Sequence, residues 1–243
     1  MEGIAVTTEL YLENSYLKTF RAQVCEINGE EVVLDQTLFY RGGGGQEHDT
    51  GFLIQNGKEF EVYEVKKQNG LIVHYVKQAD HLSKGEVELV LDWERRYNLM
   101  RHHTLIHVLG AVVYNRYGSL CTVNQIYENR ARIDFNNLSD LSEEEIKDIE
   151  EETNRQIQAN HPVSSRVVSR KEAEQLTGII KTMVNLLPPA VKNIRLVKIG
   201  EIDEQACGET HVKETQEIGT LKITKVKSKG KNNKRLEVQA IES

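Results

Sequence analysis

Cysteine is scarce: Cys25, Cys121 and Cys207 are scattered and odd in number, which fits neither a disulfide framework nor a repeated Cys-x-x-Cys zinc ribbon. Reduced thiols are expected. Long apolar runs are missing too. No stretch approaches the roughly 20 residues of a membrane span, and Met1-Glu2-Gly3 does not begin a secretory leader, so a cytoplasmic protein without membrane contact is expected. Positive charge is in deficit. A net charge of −6 excludes a chain that coats nucleic acid nonspecifically, since that binding uses Lys and Arg to displace phosphate counterions. An RNA partner must meet local basic patches. There is no internal repeat, no proline-rich linker and no long heptad segment, and this leaves the oligomeric state open. The absence of a Gly-x-x-x-x-Gly-Lys loop leaves ATP use without a motif. What is present is an ordinary globular mixture, 39% hydrophobic and 28% charged, at a length that suits two domains.

The first ninety residues read as an antiparallel meander. Asn28-Gly29, Asn56-Gly57 and Asn69-Gly70 offer the positive φ of tight hairpins between runs rich in β-formers. Those runs are Glu31 to Asp35, Phe60 to Val65, Leu71 to Val76 and Glu86 to Leu91, spaced for a small barrel or sandwich. At Asp92, a plausible N-cap, the period changes. Leu99, His103, Ile106, Gly110 and Val113 recur at helical spacing and predict one face of a helix from about Trp93 to Arg116. Ser142 and Glu145 form a capping box, with Leu141 and Ile146 placed as a hydrophobic staple, for a helix reaching about Ala159. Ser169 caps a shorter helix expected to stop at Gly178. Strands are predicted at Arg130 to Phe135, Val163 to Val168, Ile194 to Ile199, Leu221 to Val226 and Leu236 to Ile241. In the last, Leu236, Val238 and Ala240 alternate with Arg235, Glu237 and Gln239, so one face is buried, expected under helices, and the other wet.

Two segments carry ligand chemistry. His103 and His107 are one helical turn apart and project from one side, so two imidazoles can grip one ion; by themselves they are a weak signal that core or surface histidines also give. Cys207 and His211 are likewise four apart, beyond a strand and loop, where the alternative is a buried thiol near a surface histidine. Together they make one thiolate and three imidazoles, a set that a borderline-soft ion such as Zn2+ accepts in tetrahedral geometry.

These residues also resemble the editing domain of alanyl-tRNA synthetase and its free-standing AlaX relatives. The editing domain of threonyl-tRNA synthetase shares the metal pattern. Arg101-His102-His103-Thr104-Leu105-Ile106-His107 matches the family's Arg-x-His-Thr-x-x-His, and Cys207-Gly208-Glu209-Thr210-His211 matches Cys-Gly-Gly-Thr-His. Glu217-Ile218-Gly219, Leu221-Lys222-Ile223 and Lys234-Arg235-Leu236-Glu237 resemble its continuation. In the first domain, Gly42 to Gly51 resembles the loop Gly-Gly-Gly-Gln-Pro-x-Asp-Thr-Gly, and the four glycines from Gly42 to Gly45 let backbone approach a ligand closely. The likeness spans nearly the whole chain. It implies an α+β fold: a small antiparallel β-barrel domain over 1–91 carrying the glycine loop, then a two-layer α/β editing domain with an antiparallel sheet over 92–243. Two departures stand out: Glu209 replaces a second glycine, adding a carboxylate that either accepts a hydrogen bond from a ligand imidazole or the substrate amine or faces solvent, and Glu47 replaces proline.

The resemblance implies zinc-dependent hydrolysis, in trans, of the ester joining serine, and often glycine, to the terminal ribose of tRNA(Ala). His107, Cys207 and His211 are the firmest ligands, with His103 either a ligand or in contact with water or substrate. A closed four-ligand set is the pattern of structural zinc, whereas catalytic zinc keeps a position open. Thr104 hydrogen-bonds either substrate or the helix backbone. Asn124 and Gln125, in the loop before Arg130, lie where the family places the polar residue that reads serine's hydroxyl. Gly43, Gly44, Gly45, Gln46 and Asp49 would face substrate, the alternative being a hairpin connection. Arg95, Arg96 and Arg101 beside the metal helix, and Lys227, Lys229 and Lys231 within the basic run Lys222 to Arg235, offer phosphate contacts; the run reads equally as a solvated hairpin tip around Gly230. Cys121 is expected to be a packed small residue, and His48, His74, His81, His102 and His161 surface or strand residues. The rival readings are a noncatalytic zinc-stapled tRNA-binding module and a zinc hydrolase of another small ester.

Overall fold

The computed structural model describes residues 6–176 and 191–242. In chain order the strands of the first part are β1 (Thr8–Glu9), β2 (Thr19–Asn28), β3 (Glu31–Leu34), β4 (Gln36–Thr37), β5 (Gly51–Gln55), β6 (Lys58–Gln68), β7 (Leu71–Val76) and β8 (Gly85–Leu91). Then come α1 (Trp93–Tyr117), β9 (Cys121–Tyr127), β10 (Arg130–Phe135), α2 (Glu143–Gln158), β11 (Val163–Ser169), α3 (Arg170–Gln175), β12 (Asn193–Ile199), β13 (Asp203–Ala206), β14 (Thr220–Ser228) and β15 (Lys234–Ile241). This is an α+β fold with an N-terminal antiparallel barrel. Contacts group the chain into compact units of residues 1–98 and 99–243, so the division falls inside α1.

In the first unit β2-β3-β7-β6-β5-β8 close into a barrel, which removes open sheet edges. Its interior holds Val24, Val32, Leu34, Leu53, Val62, Val65, Val76 and Leu89. The Asn-Gly turns work as expected at two places: Gln55 pairs with Lys58 and Gln68 with Leu71, with both turn residues at positive φ. At the third, Asn28 pairs with Glu31, so the loop is Gly29-Glu30 and Asn28 ends β2. β2 and β5 add to the strands legible in the sequence. β2 alternates correctly through Ala22 and Val24, but a bulge between Val24 and Glu26 breaks its period. Gly51 opens β5 where a Cβ would stand 2.2 Å from the Val90 carbonyl oxygen, so that register admits no side chain.

The second unit contains an antiparallel sheet β14-β15-β10-β9 and a smaller one, β11-β12-β13. The Asp92 carboxylate accepts from the Arg95 N–H at 3.2 Å and caps α1. One apolar face was expected on that helix. Instead Leu99 to Leu109 and Ala111 to Val113 are all buried, the burial pattern of a helix in a protein interior rather than on its surface. Ser142 with Glu145 and Ser169 with Glu172 form complete capping boxes for α2 and α3. The expected end of α3 at Gly178 lies outside the described residues. α2 also seals the edge of β14: Asn154 exchanges two hydrogen bonds with the backbone of Leu221, at 2.7 and 3.0 Å, and Glu150 accepts from the Ile223 N–H at 2.6 Å.

Candidate metal centre

α1 and the segment after β13 supply four donor side chains. His103 and His107 lie one turn apart on α1, and Cys207 leaves β13 four residues ahead of His211. One donor atom from each lies within 4.8 Å of the others, and all four residues are buried. The Cys207 Sγ stands 3.1 Å from His211 Nε2 and 3.8 Å from His103 Nε2.

Hydrogen bonding fixes which ring nitrogens point inward. Thr104 Oγ1 has one proton, and the Met100 carbonyl at 2.9 Å, which can only accept, takes it. The His211 Nδ1–H at 3.0 Å and the Val212 N–H at 3.3 Å therefore donate to Thr104, leaving the lone pair of His211 on Nε2. Buried Asp203 does the same for His107, its Oδ2 accepting from Nδ1 at 3.0 Å. The Thr210 backbone hydrogen-bonds the His103 ring. Such outer partners fix the tautomer and orientation of ligating imidazoles. Burial, reinforced by the neighbouring rings and Arg195, holds His103 and His211 well below the usual histidine range, so both are neutral as ligation requires. Burial and the Glu209 carboxylate push the Cys207 thiol well up; a divalent cation would displace its proton. One thiol and three inward-facing imidazoles could hold a metal ion.

Beside His107 opens a cleft with about 370 Å³ of free space continuous with solvent, lined by Ile106, Gly110, Tyr114, Cys121, Asn124 and Ile133 among others. The Asn124 Oδ1 is buried and has no hydrogen-bond partner among the described residues. Asn124 and Gln125 lie on β9, not in a loop, opposite Ile133 and Arg132 of β10, and of the two only Asn124 lines the cleft. Cys121 is half-buried in the cleft wall and not simply packed; burial pushes its thiol up to about 12.

Known proteins match both parts of the chain. Residues 7–95 match the class II (A) tRNA synthetase family, and residues 194–237 match the second additional domain of threonyl and alanyl tRNA synthetases. The alanyl-tRNA editing protein AlaX-M of Saccharolobus solfataricus is 39% identical over 95% of this chain and 98% of its own length. That of Methanosarcina acetivorans is 39% identical over the same shares. The chain belongs to the AlaX-M family. The alanine–tRNA ligase of Hyperthermus butylicus is 38% identical over 92% of this chain, which covers 24% of that longer protein.

Glu209, which departs from the AlaX-M pattern, accepts at its Oε2 from the Cys207 thiol at 2.8 Å and from the Gly208 N–H at 2.9 Å, not from a ligand imidazole. Arg195 braces the same segment, donating to the carbonyls of Cys207 and Glu209 at 3.0 and 3.1 Å. Neither Asp203 nor Arg195 was singled out in the sequence, because each acts on residues distant along the chain. Arg101 is buried, its guanidinium bonded to the Ile218 and Ala240 carbonyls and to Glu242, so it ties α1 to the C-terminal strand and presents little to a polyanion. His102, expected as a surface or strand residue, is instead buried on α1 and accepts from the Ala240 N–H at 3.1 Å. Lys227 is paired with Glu237, whereas Lys229 and Lys231 are exposed at the tip between β14 and β15.

The AlaX-M glycine loop lies in the 1–98 unit. Gly42 to Gly45 all have positive φ, and Gly43 and Gln46 exchange backbone hydrogen bonds at 2.8 and 3.1 Å. Gly43 and Gly44 are exposed and Gly45 is half-buried, while Gln46 is buried. Asp49 is fully buried, pairs with the fully buried Arg96 and accepts from the Tyr40 N–H. Its carboxylate thus braces the loop and is withdrawn from any ligand. Arg95 pairs with Glu47 at 3.0 Å.

Proposed function

We propose that this chain is a trans-editing deacylase that hydrolyses Ser-tRNA(Ala), and Gly-tRNA(Ala) as a second substrate, with zinc held by His103, His107, Cys207 and His211. The single observation that carries the reading is the convergence of four donors beside a cleft whose wall offers an unbonded acceptor, in a chain whose relatives are named for alanyl-tRNA editing. Bound zinc would supply a Lewis acid for the ester carbonyl, a more acidic water, or a template for both.

The protein's own groups do the rest. Thr104 and Asp203 hold the rings of His211 and His107. Asn124 Oδ1 accepts from the seryl hydroxyl in the cleft. Alanine's methyl group covers that acceptor without satisfying it, whereas glycine leaves room for a water to do so, which discriminates against the correctly charged tRNA. A purely structural staple needs neither the cleft nor the unbonded acceptor, and this favours catalysis over the noncatalytic reading. The exposed Lys229 and Lys231 are proposed to meet tRNA phosphates, and ester hydrolysis needs no ATP, which suits a cytoplasmic enzyme acting on tRNA charged elsewhere.

The test is one assay series comparing deacylation of Ser-tRNA(Ala), Gly-tRNA(Ala) and Ala-tRNA(Ala) by the parent protein and by Cys207→Ala and His211→Ala, with metal content measured in each. Loss of serine removal together with loss of zinc is expected. Full activity after metal loss would remove zinc from the reaction, and equal rates on Ser-tRNA(Ala) and Ala-tRNA(Ala) would end the editing assignment.

A further inference from the structure

Gly110 lies in the interior of α1, three residues beyond His107, where glycine is disfavoured relative to alanine because it costs more backbone entropy. Three ordinary reasons for a glycine fail here. Its φ is not positive, so the backbone conformation suits any residue. Packing does not exclude a side chain: a Cβ would meet a single atom within 4 Å, Ile133 Cδ1 at 3.9 Å, an ordinary contact. The position is not a helix end either, since α1 continues to Tyr117. What its missing side chain does leave is space. Gly110 and Ile133 both line the cleft beside His107, and Asn124, whose Oδ1 has no partner among the described residues, lines it as well.

We propose that Gly110 is a specificity-determining residue: the absent side chain opens the floor of the cleft to the side chain of the aminoacyl group, and Asn124 supplies the acceptor that a small hydroxylated group satisfies. This deepens the deacylase reading above and rests on it. The cleft then serves two demands at once, volume from Gly110 and polarity from Asn124. A substrate without a side chain uses neither.

The experiment compares the parent protein with Gly110→Ala and Gly110→Val, after confirming that bound metal is unchanged and that the alanine variant melts no lower than the parent. For Ser-tRNA(Ala), kcat/KM is expected to fall at least about tenfold in the alanine variant and further in the valine variant, the range a methyl group commands where a substrate side chain is packed. For Gly-tRNA(Ala) it should stay within about threefold of the parent in the alanine variant, since no side chain meets the added methyl. Unchanged serine removal, or equal loss on both substrates, overturns the proposal. Should the parent hydrolyse neither tRNA, the deacylase reading fails, and a second measurement judges the cleft alone. That measurement is alkylation of Cys121 by iodoacetamide at alkaline pH, followed on its peptide by mass spectrometry. It is expected to be several-fold slower in the valine variant; an equal rate would mean that Gly110 does not open the space.

Discussion

Buried charge at single residues separates structural roles from functional ones. Arg96 is fully buried, and its guanidinium is satisfied by Asp49, the Ser15 carbonyl at 2.9 Å and the Leu38 carbonyl at 2.7 Å. Asp49→Ala leaves that cation buried beside no carboxylate, and such unpaired charges cost about 3–5 kcal/mol. Urea unfolding should show a loss of that size, with most of it recovered in Asp49→Ala/Arg96→Met. A loss below about 1 kcal/mol would mean that the pair does not brace the glycine loop. His74 makes a pH prediction. It is fully buried on β7, its Nδ1 donating to the Val32 carbonyl at 3.2 Å and its Nε2 accepting from Thr37 at 2.8 Å. Burial lowers it from 6.5 to about 4. Between those values the unfolded chain takes up a proton that the folded chain refuses, so stability is complete above pH 6.5 and falls as the pH drops toward 4. The full effect is roughly 3 kcal/mol. In His74→Gln that component should vanish, so the stability difference between parent and variant shrinks on acidification; a difference constant with pH would refute it.

Elements carried by local signals were legible in the sequence, and those that depend on distant partners were not. The serines and glutamates of the two capping boxes lie three residues apart, and the strands Leu71–Val76 and Arg130–Phe135 coincide with their apolar patterns. β13, with the sequence Asp-Glu-Gln-Ala, has no strand-like pattern and exists because it pairs with β12. The four clustered donors were legible because each half of the set lies within one short motif, whereas the partner of His107, Asp203, is 96 residues away. Arg101 misled for a related reason: an arginine reads as solvent-facing until the carbonyls that bury it are assembled. The seal between α2 and β14 is of the same distant kind and predicts its own energetics. Asn154→Ala strips both partners from the Leu221 backbone, itself buried, and groups left unsatisfied cost about 1–3 kcal/mol each way of counting. A loss of about 2 kcal/mol in urea is expected, against under about 0.5 kcal/mol for Glu151→Ala on the exposed side of α2. Equal effects would mean that the edge is satisfied by water.

At the scale of the whole chain, the two compact units differ in what they ask of a metal. The barrel closes on an apolar interior of its own and contributes none of the four donors. The 99–243 unit places three imidazoles and a thiol against one another, and burial disfavours the charged forms of His103, Cys207 and His211. A cation bound to the folded state alone stabilises it by mass action, about 4 kcal/mol at a thousandfold excess over the dissociation constant. Removing it should therefore act on one unit. With a strong chelator, hydrogen exchange of α1 beyond Leu99, of β13 and of the segment from Cys207 to His211 should quicken by roughly two to three orders of magnitude, while the barrel strands β3, β6 and β7 keep their protection. The same treatment of Cys207→Ala should change little, since its site is already broken. Uniform loss of protection through the barrel, or none anywhere, would mean that the four donors do not act as one metal centre of the 99–243 unit.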